Sequence, residues 1–232
     1  MEPLYIIACT VVWEEMQSHV PAGTPALVLE FGLHNSPEKL RQRLQEEIDK
    51  VPPGYTIVLG YGLCGGGMDG IRAGEHRLVI PRAHDCIALF LGSLERYEEQ
   101  MRQERGTYYV TKGWLTIEGD GPLGQYQRMV EKFGPEKGER LARLAFEHYT
   151  RLAFINTGNY EVEYYRNLAR QVAEWYRLRF EEVPGSPEWI KDLAQGRWDS
   201  RRFVIVEPGG TVKMTDFFRL EPAVQAPAGS EA

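Results

Sequence analysis

The 232-residue sequence is poor in cysteine, with three residues of that type, Cys9, Cys64 and Cys86. An odd number of cysteines with no secretory leader excludes a disulfide scaffold and fits a reducing, cytoplasmic setting, where thiols stay free or bind metal. Long hydrophobic runs are also missing. The apolar stretch near the N-terminus breaks at Glu14-Glu15 and has no basic segment before it, so it reads as a first β-strand and not as a membrane span or leader. No Lys/Arg run exceeds a pair such as Arg201-Arg202, and 27 basic against 33 acidic residues give a net charge of −6. That balance argues against phosphate-backbone binding, so nucleic acid is not an expected partner. A chain of this length buries a sizeable core without metal or disulfide staples, so any metal is expected to serve chemistry.

Short β-rich runs at 4–8, 26–31, 56–59 and 78–80 alternate with helical patterns, the signature of βαβ units in a parallel sheet. Between the second and third runs, Ser36-Pro37 predicts a capped helix start; Leu40, Leu44 and Ile48 repeat at helical spacing until Pro52-Pro53-Gly54. After the fourth run, Ile87, Phe90, Leu91, Leu94 and Met101 fall on one helical face. Residues 106–121, rich in Gly and aromatics, read as irregular, with helical composition resuming through Tyr149. A second alternating set follows: strand 152–155, helix 160–176, strand 178–183 and strand 203–206. The expectation is an α/β protein of two Rossmann-like lobes with parallel sheets. Residues 1–105 form the N-terminal lobe with the Cys/His site, 106–220 the C-terminal lobe, and 221–232 a poorly ordered tail.

The three cysteines fall at the carboxyl ends of first-lobe strands: Cys9 closes the first, Cys64 follows the third and Cys86 follows the fourth. In an open α/β sheet those ends share one edge, and the crevice there is the usual ligand site. His84, two residues before Cys86, joins the same edge. Three thiolates and one imidazole make a zinc set, and three cysteines alone can hold a [4Fe-4S] cluster with one iron open to substrate. The competing reading is that free cysteine is a small, often buried hydrophobe. Gly60-Tyr61-Gly62-Leu63-Cys64-Gly65 formally matches a dinucleotide fingerprint, but the glycine-broken segment after it is too short for a phosphate-binding helix. Gly62, Gly65 and Gly66 are better read as letting backbone approach a ligand beside the Cys64 sulfur.

Other candidates are Glu14, at the start of the helix after Cys9, as a base or a favourable N-terminal charge, and His34, just beyond the second strand. Tyr108, Tyr109 and Trp114 suit either an aromatic lid or a packed seam between lobes. A metal-free alternative uses Cys64 as nucleophile and His84 as base.

The motifs Tyr61-Gly62-Leu63-Cys64-Gly65, Val79-Ile80-Pro81-Arg82-Ala83-His84-Asp85-Cys86-Ile87, Leu91-Gly92-Ser93, Gly106-Thr107-Tyr108-Tyr109 and Gly196-Arg197-Trp198-Asp199 with Pro208-Gly209 together resemble the domain of unknown function 1638 family of anaerobic bacteria and methanogenic archaea. The resemblance spans roughly residues 3–216. It implies a family pattern kept at Cys9, Cys64, His84 and Cys86, and an association with corrinoid-dependent methyltransferases. The expected function is a metal-thiolate protein, with zinc held by Cys9, Cys64, Cys86 and His84, that activates a small-molecule thiol or methyl donor, with a corrinoid supplied by a partner protein. A three-cysteine [4Fe-4S] enzyme and a non-enzymatic metal carrier or corrinoid-protein partner are the alternatives.

Overall fold

The structure, a computed structural model, describes residues 3–117 and 121–218. The tail expected over 221–232 lies outside the described residues.

The chain begins with β1 (Leu4–Cys9) running straight into α1 (Thr10–Met16). Ile6, Ile7 and Ala8 are fully buried in succession, as they must be in a parallel strand covered on both faces. β2 (Ala26–Leu29) and β3 (Thr56–Gly60) flank β1 in parallel, with Ile6 opposite Ala26 and Leu4 opposite Thr56. Between them runs α2 (Pro37–Ile48), and its Leu40, Leu44 and Ile48, one per turn, are buried. Ser36 holds the cap position, but among the described residues its side chain makes no capping bond. β4 (Arg77–Pro81) pairs in parallel with β3.

The helical face expected from Ile87 to Met101 is two helices, α3 (Cys86–Leu91) and α4 (Leu94–Gln103). Gly92 breaks them with φ +88°, and a Cβ there would lie 2.5 Å from that of Ser186. Ser93 then caps α4 by accepting the Arg96 N–H.

The segment 106–121, expected to be irregular, contains β5 (Thr107–Val110) and α5 (Lys112–Thr116). Thr107, Tyr109 and Val110 are buried, and the strand forms because β6 supplies its ladder partners. The helices α6 (Pro122–Phe133) and α7 (Pro135–Leu144) form a hairpin before β6 (Arg151–Asn156), and α8 (Val162–Tyr176) crosses to β7 (Arg179–Pro184). Strands β5, β6 and β7 make a parallel sheet in that order.

After α9 (Glu188–Ala194) comes β8 (Phe203–Val206), which the sequence reading grouped with the second set of strands. It pairs instead with β4 of the first sheet, antiparallel, with Pro81 opposite Phe203, giving the order β2-β1-β3-β4-β8. Its alternation explains the choice: Phe203 enters the core on one face of that sheet while Val204 and Val206 enter the core on the other. The first of these cores also takes in Val58, Phe90, Phe154, Ile155 and Trp189, so both sheets pack into one apolar interior.

Candidate functional site: a three-thiol cavity

Each cysteine is delivered by a different strand end. Cys9 is the last residue of β1, and the first backbone N–H groups of α1, at Val11 and Val12, point at its sulfur. Cys86 is the first residue of α3, after the extended Asp85. Asp85 caps that helix by accepting the Ile87 N–H at 2.9 Å, and its other oxygen accepts the Tyr97 hydroxyl at 3.0 Å. Cys64 lies in the loop after β3, in a short 3-10 turn at Cys64–Gly66.

That loop is stitched to the segment before α3. Leu63 N–H donates to the Ala83 carbonyl at 2.8 Å and Cys64 N–H to the His84 carbonyl at 3.0 Å. Gly62 is required at this crossing, because a Cβ there would sit 2.9 Å from the Ala83 oxygen and from Asp85 backbone. Cys64 itself has φ +47°, in the left-handed region that a cysteine adopts at a cost. Such strain gathers where a side chain must be aimed.

The three cysteines line one cavity of about 280 Å³. Its inner wall is formed by the buried Gly60 and Tyr61, its mouth carries the exposed Glu30 and His34, and Val11, Val12, Leu33, Ile87 and Trp114 give it apolar sides. Burial pushes the Cys9 thiol up to about 11, outweighing the helix N–H groups that would lower it. Burial, reinforced by the Cys9 and Asp85 charges, pushes Cys64 and Cys86 well up too. With no cation among them all three are protonated thiols at neutral pH. The Asp85 carboxyl is also raised by burial against its hydrogen bonds, and burial lowers His34 despite the opposing Asp85 charge.

The expected site residues divide. Cys9, Cys64, Cys86, Gly65 and His34 line the cavity; Gly62 stands behind it as a backbone crossing. Gly66, at φ +97°, faces the Met214 methyl and does not line it. His84 is exposed, its ring beside Tyr97 and Phe218 with centroids 6.4 and 5.9 Å away; its carbonyl accepts the Cys64 N–H, and its side chain exerts a lowering influence on the Asp85 carboxyl. The chain turns from extended to helical at Asp85, which carries Cys86 inward and leaves His84 outside. Neither a ligand role nor a base role for His84 gains support. Glu14 is ion-paired to Lys112 at 2.7 Å, away from the cavity. Tyr108 packs against Phe146 and Tyr149, centroids 4.8 and 5.2 Å away, in the aromatic cluster of the second sheet. Trp114 does line the cavity while stacking edge-on against Phe90. Sequence reasoning missed Tyr61, Glu30 and Leu33 as lining residues and Asp85 as part of this site. The Asp85 position was legible as an Asp directly before a helix. The dinucleotide fingerprint is not followed by an α-helix, only by the turn at Cys64–Gly66.

The donor chemistry suits a thiophilic metal: three sulfurs from three strand ends on one small, apolar cavity. Among the described residues, no three His, Cys, Asp or Glu side chains are arranged as ligands of a single ion.

The fold is mixed α/β, with one sheet parallel apart from β8 and the other parallel throughout. The family model described as Protein of unknown function (DUF1638) matches residues 28–194, and the chain belongs to that family. The match takes in Cys64, His84 and Cys86, whereas Cys9 precedes it. No curated protein and no solved structure matches the chain. Among the described residues, no helix is long and apolar enough to cross a membrane.

Proposed function

We propose that the protein is a cytoplasmic metal-thiolate protein in which Cys9, Cys64 and Cys86 hold a zinc ion at the edge of one of two Rossmann-like lobes. In this reading the bound metal activates a small-molecule thiol or methyl group in corrinoid-linked one-carbon metabolism. The observation that carries it is the convergence of all three cysteines of the chain on one cavity. Bound there, the ion would keep sulfur ligands deprotonated and hold an incoming thiol as a nucleophile at neutral pH. The residues do the rest. The α1 N–H groups at Val11 and Val12 favour the Cys9 thiolate, the left-handed turn fixes the Cys64 sulfur, and Val12, Leu33 and Trp114 exclude water. Three protein ligands leave a fourth position for substrate, which is what catalysis at zinc requires. The corrinoid partner rests on the resemblance alone.

A three-cysteine [4Fe-4S] centre is the second reading. It draws on the same observation, three cysteines lining one cavity, since three cysteines can hold such a cluster with one iron open to substrate. Metal-free chemistry at Cys64 is disfavoured, because burial keeps that thiol protonated and His84 lies outside the cavity.

Metal analysis and absorption spectra of the anaerobically purified chain test both readings. A stoichiometric metal is expected in the wild type and is expected to be lost in Cys64→Ser with the fold retained; a colourless zinc protein supports the first reading and a brown protein the second. A wild type that retains no metal after reconstitution overturns both.

A further inference from the structure

The cavity holds one polar group with no task in the free protein. The Tyr61 hydroxyl has no hydrogen-bond partner among the described residues, although the residue is 3% exposed. Leaving a hydroxyl buried and unpaired is costly, so natural sites keep one where a ligand completes it. Tyr61 lines the same cavity as the thiols, and burial, followed by the influence of Cys9, Cys64, Glu30 and Cys86, pushes its phenol up. All four of these groups line the cavity too. None accepts a hydrogen bond from it, so the enclosed hydroxyl of this cavity-lining residue has no acceptor among the described residues of the free protein.

The remaining surface restricts what could accept that bond. The Val11, Val12, Leu33, Ile87 and Trp114 walls suit an apolar body, and no Lys or Arg lines the cavity to receive a carboxylate or phosphate. A volume of about 280 Å³ suits a small ligand of about ten heavy atoms.

We propose that Tyr61 is a substrate-orienting hydrogen-bond donor, and that the cavity takes a small organic thiol whose sulfur accepts from the Tyr61 hydroxyl while its apolar body lies against Trp114 and Leu33. On binding, the thiol gives its S–H proton to solvent, and the resulting thiolate gains the phenol as a charge-assisted donor. This proposal rests on the metal-thiolate reading above.

The test titrates ethanethiol into the cobalt(II)-loaded full chain and follows the ligand-field absorption bands of the cobalt. Tyr61→Phe removes one oxygen from a buried ring and leaves the packing in place. The expected result is saturable binding by the wild type, weakened about tenfold in Tyr61→Phe, with cobalt(II) affinity equal in the two proteins. Equal ethanethiol binding by both proteins overturns the assignment while leaving the metal site standing. A parallel fall in cobalt(II) affinity also overturns it, because the hydroxyl would then be serving the cysteine sulfurs. Failure of the wild type to take up cobalt(II) removes the metal-thiolate reading, and this proposal with it.

Discussion

The two sheets, parallel apart from β8, present the same kind of edge and finish it in opposite ways. At the carboxyl ends of β1, β3 and β4 the chain leaves a cavity ringed by thiols and apolar side chains, with the Tyr61 hydroxyl unpaired. At the carboxyl ends of β5 and β6 the corresponding space is filled by α1. Glu15, 1% exposed, accepts the Thr157 hydroxyl at 2.7 Å, and its carbonyl accepts the Asn159 amide at 2.7 Å. Ser18 donates to Asn159 at 2.9 Å, and the Tyr160 hydroxyl takes the Lys112 N–H at 3.3 Å while donating to the Ile155 carbonyl at 3.2 Å. Parallel topology offers a crevice at every such edge, and side-chain chemistry decides which one becomes a site. The second sheet uses its edge to bind the two halves of the molecule together; the first keeps its edge open.

If that division is right, substitutions in the second sheet act on stability and those at the first edge act on binding. The largest stability effect belongs to Arg151, which is 1% exposed and donates to Thr107, Glu181 and Gln100 at 2.9, 3.0 and 3.0 Å. Arg151→Ala removes a buried guanidinium and leaves the Thr107 hydroxyl without its donor, while Glu181 keeps Arg179, and is expected to cost about 3 kcal/mol. Thermal unfolding should register this as a Tm drop on the order of 10 °C, with metal content per folded chain unchanged.

Cys64→Gly is expected to move the two quantities in opposite directions. It relieves a left-handed cysteine and should stabilise the fold by about 1 kcal/mol in denaturant titration, while metal retention is lost. A variant that is destabilised instead would mean that Cys64 serves packing.

Glu15 provides a pH-dependent comparison. Burial raises its carboxyl above the usual range despite the Thr157 hydrogen bond and the nearby Asn159, Thr111 and Lys112 side chains. With the folded value above the unfolded one, the folded state holds the proton more tightly. Stability is therefore fullest below the unfolded carboxylate value and falls as pH rises through the folded one. Chemical denaturation across that range should show a slope in the wild type that Glu15→Gln flattens; equal slopes would place the burden elsewhere.

Glu14→Gln should have the smallest effect. Its ion pair with Lys112 lies partly in solvent, and its loss is expected to cost no more than about 1 kcal/mol, less in high salt. Metal content should not change, contrary to the catalytic role its position suggests.

What the sequence discloses follows from which interactions are local. β1, β3 and β4 stand out because strands buried on both faces are continuous β-rich runs, and α2 because Leu40, Leu44 and Ile48 keep helical register. β5 was hidden between Gly106 and Gly113, whose turn-like composition outweighs Tyr109-Val110 until β6 is there to pair with it. For β8 the pattern announces a strand, but its partner β4 is more than a hundred residues away and leaves no trace in composition. That Cys9, Cys64 and Cys86 line one cavity follows from β1, β3 and β4 being parallel neighbours, so the segments after them lie at one end of the sheet. Tyr61 was not legible, since a hydroxyl counts as unpaired only after every neighbour has been placed. His84 does not line the cavity because the chain turns into α3 between it and Cys86, a turn that a spacing of two residues does not reveal.

The central claim is that three thiols from three strand ends serve one metal centre. X-ray absorption at the metal edge of the reconstituted, anaerobic wild type tests it most directly. The account predicts three protein sulfur scatterers at about 2.3 Å from the metal in the wild type and loss of the metal-edge signal in Cys64→Ser. A coordination shell of oxygen and nitrogen alone, or a metal edge of equal strength in Cys64→Ser, would contradict it.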